Sequence, residues 1–273
     1  MRSSDRSLGN VSRVSRAAGR RRLVRGAVAA GGVGVLVWGL SGCGSTDVDG
    51  AKAEHRSFAY SGKALTIDAR NSTVELVPAD VDGIEVTRKV DGWVMFGSGP
   101  DPVWKLEGDK LTLRVKCDAL ISDCGARHTV KVPRGIALTV DAANGKVTAS
   151  GFRTSLKLSS DNGGVVVRDV SGPLELKSDN GSVRGERVSA GSVVVRSDNG
   201  GVRLGFSRVP DLVDGVSDNG SINIDLPSGP ERYAVSATAD NGHVSVKVPR
   251  SDDSRHAVKV HSDNGQVTVR TAN

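Results

Sequence analysis

The tetrapeptide Ser-Asp-Asn-Gly recurs through the second half of this chain and restricts its fold more than any other feature. Counted by the asparagine, five full copies and two looser ones lie 18 to 23 residues apart, at Asn144, Asn162, Asn180, Asn199, Asn219, Asn241 and Asn264. A unit of this period is typical of repeat proteins, in which each unit buries its apolar face against its neighbours. The sequence therefore predicts a stack of similar units.

Apolar residues alternate with polar ones on both sides of each asparagine. Around Asn180, for example, Leu174 and Leu176 precede the corner, Val183 follows it, and the residue two positions before the asparagine is small, as in every unit. Alternation with period two predicts strands with one buried face. Because Asn and Gly tolerate positive φ better than other residues, we expect a tight corner with positive φ at each Asn-Gly.

Two all-β folds share this local pattern. In a β-solenoid each unit is one coil and equivalent positions stack at about 4.8 Å, whereas in an antiparallel meander each Asn-Gly closes a hairpin. The corner keeps its length while the opposite connection takes up every insertion, and some fourteen strands would be wide for one twisted sheet. The sequence favours a β-solenoid of about seven units with an N-terminal β cap region, and the meander remains the alternative.

The N-terminus resembles a bacterial export signal. Eight arginines and one aspartate lie in residues 1–42, and an apolar stretch from Gly26 to Leu40 is too short to span a membrane. The ending Leu-Ser-Gly-Cys resembles the lipobox of bacterial lipoproteins, which implies a diacylglyceryl group on Cys43 and cleavage before it. The run that begins with Arg20-Arg21-Arg22 also resembles a twin-arginine motif, so the general secretory route and the twin-arginine route both stay open.

Once the signal is set aside, the charge of the chain becomes nearly neutral. The net charge of +6 is carried by residues 1–42, whose arginines exceed their acids by seven. A nearly neutral mature chain offers no electrostatic basis for binding nucleic acid, so nucleic acid is not an expected partner.

The two remaining cysteines, Cys117 and Cys124, are separated by six residues. An even pair in an exported chain predicts a disulfide that closes a short loop. A zinc site needs about four ligands and only His128 lies nearby, so neither a metal nor any other cofactor is predicted there.

These observations divide the chain into four parts. Residues 1–42 form the signal peptide, 43–57 a flexible tether, 58–135 an N-terminal β region, and 136–273 the Ser-Asp-Asn-Gly repeats. The first part of the β region contains a degenerate unit around Asn71. The segment 91–102, with Trp93, Met95 and Phe96 among glycines and prolines, has two interpretations, an end cap of the stack or a binding loop.

Three features together resemble a known family. They are the segment Val77-Pro-Ala-Asp-Val-Asp-Gly-Ile-Glu-Val, the segment Val130-Lys-Val-Pro-Arg-Gly, and the repeated Asn-Gly-x-Val-x-Val. Over about residues 58–271 the chain resembles the bacterial β-strand-repeat domains called putative adhesins, whose function is unknown. The resemblance implies a fold and a cell-surface role, and it brings no catalytic residues with it.

The aspartate before each corner is the main candidate for metal chemistry. In a solenoid these residues form a line of like charges, which calcium would relieve; the alternative is that they close Asx-type corners with their own backbone. The aspartates are Asp161, Asp179, Asp198, Asp218, Asp240 and Asp263. One carboxylate per unit is few for calcium, so no metal site is predicted.

An enzyme is the third functional class considered. Polysaccharide lyases also use β-helices and need a base beside carboxylates, and Lys177 and Arg196 occupy equivalent positions in neighbouring units. The other units do not repeat a basic residue there, and no serine-hydrolase or phosphate-loop motif is present, so no catalytic residue is predicted.

The sequence therefore predicts a non-catalytic, lipid-anchored protein of the bacterial cell surface that acts in adhesion, binding or envelope scaffolding. Its expected partners are the membrane, through the lipid, and an envelope protein or glycan. An accessory sensor domain of an envelope-stress system and a polysaccharide-active enzyme are the alternatives.

Overall fold

The structure, a computed structural model, describes residues 48–272. The predicted signal peptide 1–42, Cys43 and the first part of the tether lie outside the described residues. A 3₁₀ turn at Val48–Gly50 is followed by strand β1, Ala53–Ala59, so regular structure begins inside the segment 43–57.

The body of the molecule consists of coils with two strands each, one before and one after the corner. The strands before the corner form ladder A: β2 Ala64–Arg70, β6 Ala137–Ala142, β8 Leu156–Ser160, β10 Leu174–Ser178, β12 Ser192–Ser197, β14 Leu212–Ser217, β16 Ala234–Asn241 and β18 Ala257–Asn264. The strands after the corner form ladder B: β3 Ser72–Ala79, β7 Val147–Ser150, β9 Val165–Arg168, β11 Val183–Val188, β13 Val202–Phe206, β15 Ile222–Leu226, β17 Val244–Lys247 and β19 Val267–Thr271. Two further long strands, β4 Gly83–Glu107 and β5 Lys110–Pro133, lie between β3 and β6 in the chain.

Strand pairing confirms the solenoid and shows that the antiparallel meander is wrong. In ladder A, Leu158 pairs with Leu176 and Leu176 with Val195, all in parallel register. In ladder B, Val183 pairs with both Val165 and Val202 in the same way. Equivalent residues of successive coils are therefore neighbours, as stacking requires.

The two ladders enclose one continuous apolar core. Alternate residues of the strands are buried, for example Leu156 and Leu158 in β8 and Val202 and Leu204 in β13. At or after the ends of the ladder B strands, further apolar side chains join the core. These are Phe152, Val170, Val188 and Phe206, all buried.

The small residue before each corner has a specific contact in the repeats. The hydroxyls of five buried serines each donate a hydrogen bond to the backbone carbonyl of the corner glycine in the neighbouring coil, at 2.9 to 3.3 Å. The serines are Ser160, Ser178, Ser197, Ser217 and Ser262. The small side chain thus fits the tight interior, and its hydroxyl also ties one coil to the next.

The expectation of positive φ at the repeated corners is wrong. Among the asparagines at the corners, only Asn71 of the degenerate first coil has a positive φ, of 56°, and the corner glycines of the seven repeats lie outside this region as well. Glycine is required for another reason: a Cβ at Gly181 would lie 2.5 Å from the carbonyl oxygen of Gly163 in the adjacent coil. The corners stack so closely that no side chain fits between them.

The order of the coils departs from the order of the sequence at the C-terminal end. Strand β14 pairs with β18, and β18 pairs on its other side with β16. Ladder B repeats this order, with β19 between β15 and β17. The last coil is therefore inserted between the two coils that precede it in the sequence.

The N-terminal end is covered by antiparallel strands. The two ends of β5 continue ladders A and B in parallel with β2 and β3, and β4 runs antiparallel along β5. Strand β1 then pairs antiparallel with the first part of β4. The capping layer therefore hides the end of the stack behind strands with no Asn-Gly corner.

Across the described range, 48–272, no helix has the length and apolar character needed to cross a membrane.

Candidate functional site

The predicted corner asparagines lie in one continuous line on the surface. From the second asparagine of the stack onward, each carboxamide Nδ2 donates to the Oδ1 of the asparagine before it, at 2.8 to 3.1 Å. The spatial order is Asn71, Asn144, Asn162, Asn180, Asn199, Asn219, Asn264 and Asn241, which follows the inserted last coil. Because all but the last of these oxygens already accept a hydrogen bond, the asparagine ladder is engaged in holding the coils together.

The neighbouring aspartates have cationic or imidazole partners in some coils. Lys177 Nζ lies 2.9 Å from Asp179, and His261 Nε2 lies 2.8 Å from Asp263. Both partners stand two residues before the aspartate that they contact. Protein side chains thus offset part of the repulsion along this line.

The inserted coil creates a cluster that sequence reasoning missed. The ligand atoms of Asp240, His261 and Asp263 all lie within 4.8 Å of one another, and His261 Nδ1 lies 2.8 Å from Thr238 Oγ1. Imidazole and carboxylate groups are suited to a divalent transition metal. The three residues are exposed or half-exposed, and only the pairing of β16 with β18 brings Asp240 to the other two. The pattern of the sequence alone gave no signal for this proximity.

A charged groove lies on the outer surface of ladder A near its N-terminal end. It has a volume of about 330 Å³ and is lined by Thr66, Asp68, Arg70, Lys110, Asp141, Ser159 and Asp161, among others. Asp68 is the most buried of the charged residues and lies 3.0 Å from Lys110 and 2.5 Å from Arg114. Burial alone would raise the pKa of Asp68, but the hydrogen bonds from Arg114 and Lys110 outweigh it and lower that pKa. The groove therefore offers fixed charges of both signs.

The two basic residues considered for lyase chemistry are both ion-paired. Lys177 contacts Asp179, and Arg196 lies 2.8 Å from Asp214. The hydrogen bond from Lys177 to Asp179 raises the pKa of the lysine and keeps it protonated. A protonated lysine is not a general base, so this pair lacks the property that proton abstraction requires.

The capping layer contains buried polar side chains. Arg88 is 7% exposed, stacks 3.8 Å from the ring centre of Trp104, and donates from Nε to Glu54 at 2.9 Å. His128 lies opposite Arg88 in the strand pairing and is fully buried, and neither ring nitrogen has a hydrogen-bond partner. Burial, together with the charge of Arg88, lowers the pKa of His128 to about 4. The imidazole is therefore neutral in the folded protein near neutral pH.

The middle parts of β4 and β5 leave the stack as a two-stranded arm, which we define as residues 91–101 and 116–125. In the first coil one residue, Asn71, joins β2 to β3, whereas eleven residues of β5 separate the parts that pair with these two strands. This excess forms the arm, and a disulfide between Cys117 and Cys124 closes its β5 side. The structure thus contains the predicted pairing of these cysteines.

The arm exposes large apolar side chains from both strands. The exposed fractions are 51% for Trp93, 46% for Met95, 81% for Phe96, 83% for Leu120 and 51% for Ile121. The sequence predicts that the segment with the first three residues is an end cap or a binding loop, and in the structure these side chains are exposed. The sequence gives no signal for Leu120 and Ile121, which the pairing of Met95 with Ile121 brings to the same end of the arm.

The base of the arm lies beside the first described residues of the chain. Val48 is buried and lines a cavity of about 450 Å³ together with Asn71, Asp123, Cys124 and Gly125, among others. The point at which the chain enters the domain and the point at which the arm leaves it are therefore adjacent.

Comparison with known proteins identifies the type of domain. Residues 62–273 match the family described as Toastrack DUF4097. No curated protein matches the chain.

Three solved structures are similar to this chain at low sequence identity. A putative cell adhesion protein from Clostridium sporogenes is 10% identical, with 81% of this chain and 100% of that chain covered and a TM-score of 0.37. A putative adhesin from Parabacteroides distasonis is 12% identical, with 81% and 98% covered and a TM-score of 0.43. A putative adhesin from Bacteroides fragilis is 12% identical, with 81% and 97% covered and a TM-score of 0.40.

Proposed function

This chain belongs to the Toastrack DUF4097 family, and we propose that it is a lipid-anchored, extracytoplasmic protein that acts without catalysis in adhesion or envelope scaffolding. The observation that carries the proposal is the stack itself. Eight coils within residues 64–271 share one core, and each is joined to its neighbours through both strand ladders and the asparagine ladder. Such a stack is a rigid support that presents long polar faces to other molecules.

The state of the charged residues supports a binding role over a catalytic one. Asp68 is held ionised by Lys110 and Arg114, and Lys177 is held protonated by Asp179. A catalytic acid or base needs a pKa near the working pH, and the shifts of these groups go in the opposite direction. Fixed charges of this kind suit recognition of polar ligands.

The surface that we assign to ligand binding is the charged groove on ladder A. It combines the carboxylates of Asp68, Asp141 and Asp161 with the cations of Arg70 and Lys110. Groups of both signs, with the hydroxyls of Thr66 and Ser159 beside them, match the hydrogen-bonding needs of an envelope glycan or of a charged protein segment.

The lipid anchor is the second half of the proposal, and it rests on the sequence ending Leu-Ser-Gly-Cys43. We expect the intact mass of the mature protein to correspond to a chain that begins at Cys43 and carries a diacylglyceryl group. Cys43→Ala should abolish this modification and its detergent partitioning. An unmodified Cys43 on the wild-type protein would contradict the anchor.

The binding half is tested with the purified wild-type protein and an array of envelope glycans and envelope proteins. A ligand of the groove should lose most of its binding to Lys110→Glu, and the matched surface variant Lys157→Glu on the same ladder should retain it. Lys157 pairs with Glu175 at 2.7 Å outside the groove. Equal binding to all three proteins would show that the groove is not the ligand site.

A further inference from the structure

The arm is the one place in residues 48–272 where large hydrophobic side chains are exposed. All five such residues lie on it: Trp93, Met95, Phe96, Leu120 and Ile121. Monomeric soluble proteins rarely expose a contiguous group of such side chains unless it contacts another molecule or a membrane. The exposed apolar side chains of the arm therefore indicate a contact with another molecule or a membrane.

The position of the arm relative to the expected lipid anchor indicates what it contacts. Val48 packs at the base of the arm beside Cys124 and Gly125, and Cys43 precedes it by five residues. A fully extended chain spans at most about 3.6 Å per residue, so five residues allow the Cα of Cys43 to be no more than about 18 Å from that of Val48. The tip of the arm lies only three residues beyond Cys124, or about 10 Å along the strand.

We propose that the arm is a second membrane contact, whose apolar tip inserts into the interface of the bilayer that holds the lipid anchor. This inference rests on the lipid anchor of the proposed function. Tryptophan and phenylalanine are the side chains that favour the boundary between headgroups and acyl chains, and the leucine and isoleucine add apolar area. Anchoring at Cys43 turns insertion into an intramolecular event at high effective concentration, so that a small apolar tip suffices.

The charge of the arm determines the mode of contact. The two segments of the arm contain one basic residue, Lys116, and four acidic ones, Asp91, Asp101, Asp118 and Asp123. Anionic headgroups repel this charge, so the contact depends on apolar insertion, and it is strongest on zwitterionic lipid. With one attachment at Cys43 and another at the arm, the solenoid takes a defined orientation on the cell surface.

The test measures the depth of Trp93 in a bilayer. Trp104→Phe leaves Trp93 as the only tryptophan in residues 43–273. The lipidated protein is reconstituted in phosphatidylcholine vesicles with or without bromine on the acyl chains. We expect brominated lipid to reduce Trp93 emission about twofold or more, because bromine quenches only a nearby indole, and the quenching should weaken with anionic lipid.

Two variants in the same background identify the part of the molecule responsible. Phe96→Asp with Leu120→Asp should abolish the quenching, because it places charges at the tip. Ser236→Asp, at an exposed position on β16, should leave the quenching unchanged. Because both tip residues are more than 80% exposed, the thermal melt of the double variant should match that of its parent.

The outcomes separate this inference from the proposed function. A lipid-modified Cys43 with no quenching of Trp93 overturns the membrane contact and leaves the anchor in place, whereas an unmodified Cys43 overturns the anchor and the contact together. A change in Trp93 emission that depends on protein concentration and not on vesicles overturns the proposal in favour of a second copy of this chain. A change in Trp93 emission that appears only when an envelope protein is added overturns the proposal in favour of that protein.

Discussion

The repeated body and the N-terminal end of this solenoid cover the apolar faces of their coils in different ways. In the body, each coil covers the previous one with the same residues: an apolar pair, an inward serine, an outward asparagine and a corner glycine. At the N-terminal end there is no further coil, and β1, β4 and β5 cover the stack with antiparallel pairing, a buried Arg88–His128 pair and a disulfide-closed arm. The repeats provide architecture, and the exposed large apolar side chains of residues 48–272 lie where the repeat stops.

The C-terminal end differs from the body in the order of its coils. A test of this order by engineered disulfides has the largest expected effect, because each disulfide either forms or does not. Asp214 pairs with Lys259, and Lys259 pairs with Ser236. Paired residues on adjacent strands lie about 5 Å apart, within disulfide range, whereas residues two strands apart lie about 10 Å apart. We expect Asp214→Cys with Lys259→Cys, and Ser236→Cys with Lys259→Cys, to form disulfides under mild oxidation.

The combination Asp214→Cys with Ser236→Cys is the control, because these positions would be neighbours if the coils followed the order of the sequence. Mass spectrometry after digestion detects each bond. A disulfide between positions 214 and 236 at the expense of 214 and 259 would show that the last coil is not inserted.

Much of the body could be predicted from the sequence, because its interactions repeat. The alternation around each asparagine predicts the strands, and the constant length of the corner favours parallel stacking, in which Leu158, Leu176 and Val195 pair in succession. The reason for the corner glycine was predicted wrongly, because close approach between coils is a tertiary property and positive φ is a local one. The serine hydrogen bonds to the corner carbonyls also depend on the adjacent coil.

The ends could not be predicted in the same way. The Asp240–His261–Asp263 cluster depends on the insertion of the last coil, which the repeat pattern of the sequence does not encode. The composition of the segment with Trp93 and Phe96 indicates an end cap or a binding loop. Its position on an arm depends on the pairing of β4 with β5 over more than 20 residues of each strand. Long-range pairing of unique segments carries no periodic signal.

Acid should destabilise the N-terminal cap more than the body. His128 has a pKa of about 4 in the folded protein, against an ordinary value of 6.5, so between these values the unfolded chain binds the proton more tightly. The contribution of the neutral imidazole is present above pH 6.5 and is lost as the pH falls to about 4, which amounts to about 3 kcal/mol of unfolding free energy.

The comparison is made by denaturant unfolding at pH 7, 5.5 and 4.5. His128→Leu cannot take up a proton, so it should lose less stability than the wild type as the pH falls. His243→Gln, at an exposed position on the last part of the body, should follow the wild type. Parallel curves for wild type and His128→Leu would refute the assignment of acid sensitivity to this residue.

Because the corners stack closely, one added methyl group at a corner glycine should lower the stability of the protein, whereas the same group at a more open position should not. In Gly181→Ala the new Cβ would lie 2.5 Å from the carbonyl oxygen of Gly163, and the coils must move apart, at a cost of about 2 kcal/mol. For a chain of this size that lowers the melting temperature by about 4–8 °C.

Gly205→Ala is the matched control in the same body, because its Cβ would meet the nearest atom, the carbonyl oxygen of Gly185, at 3.7 Å. That substitution should be neutral or slightly stabilising. Equal melting temperatures for the two alanine variants would mean that the corners do not stack as closely as described.

The smallest expected effect concerns calcium at the aspartate line. Asp179→Asn removes an ion pair with Lys177 whose members are one-third and one-half exposed, so the stability should change by no more than about 0.5 kcal/mol. Because the asparagine oxygens already accept hydrogen bonds within the ladder, calcium and chelator should give the wild type the same melting midpoint. A midpoint raised by calcium and lowered by Asp179→Asn would instead make the aspartate line a calcium site.

The contrast between an architectural body and an interacting N-terminal end is tested most directly by hydroxyl-radical footprinting. Modification of side chains is compared between the lipidated protein on phosphatidylcholine vesicles and an unlipidated form of residues 44–273 in solution. We expect about threefold or greater protection of Trp93, Met95 and Phe96 on vesicles, with His243 in the body unchanged. Protection of body residues such as His243, with the arm modified equally in both forms, would contradict this expectation.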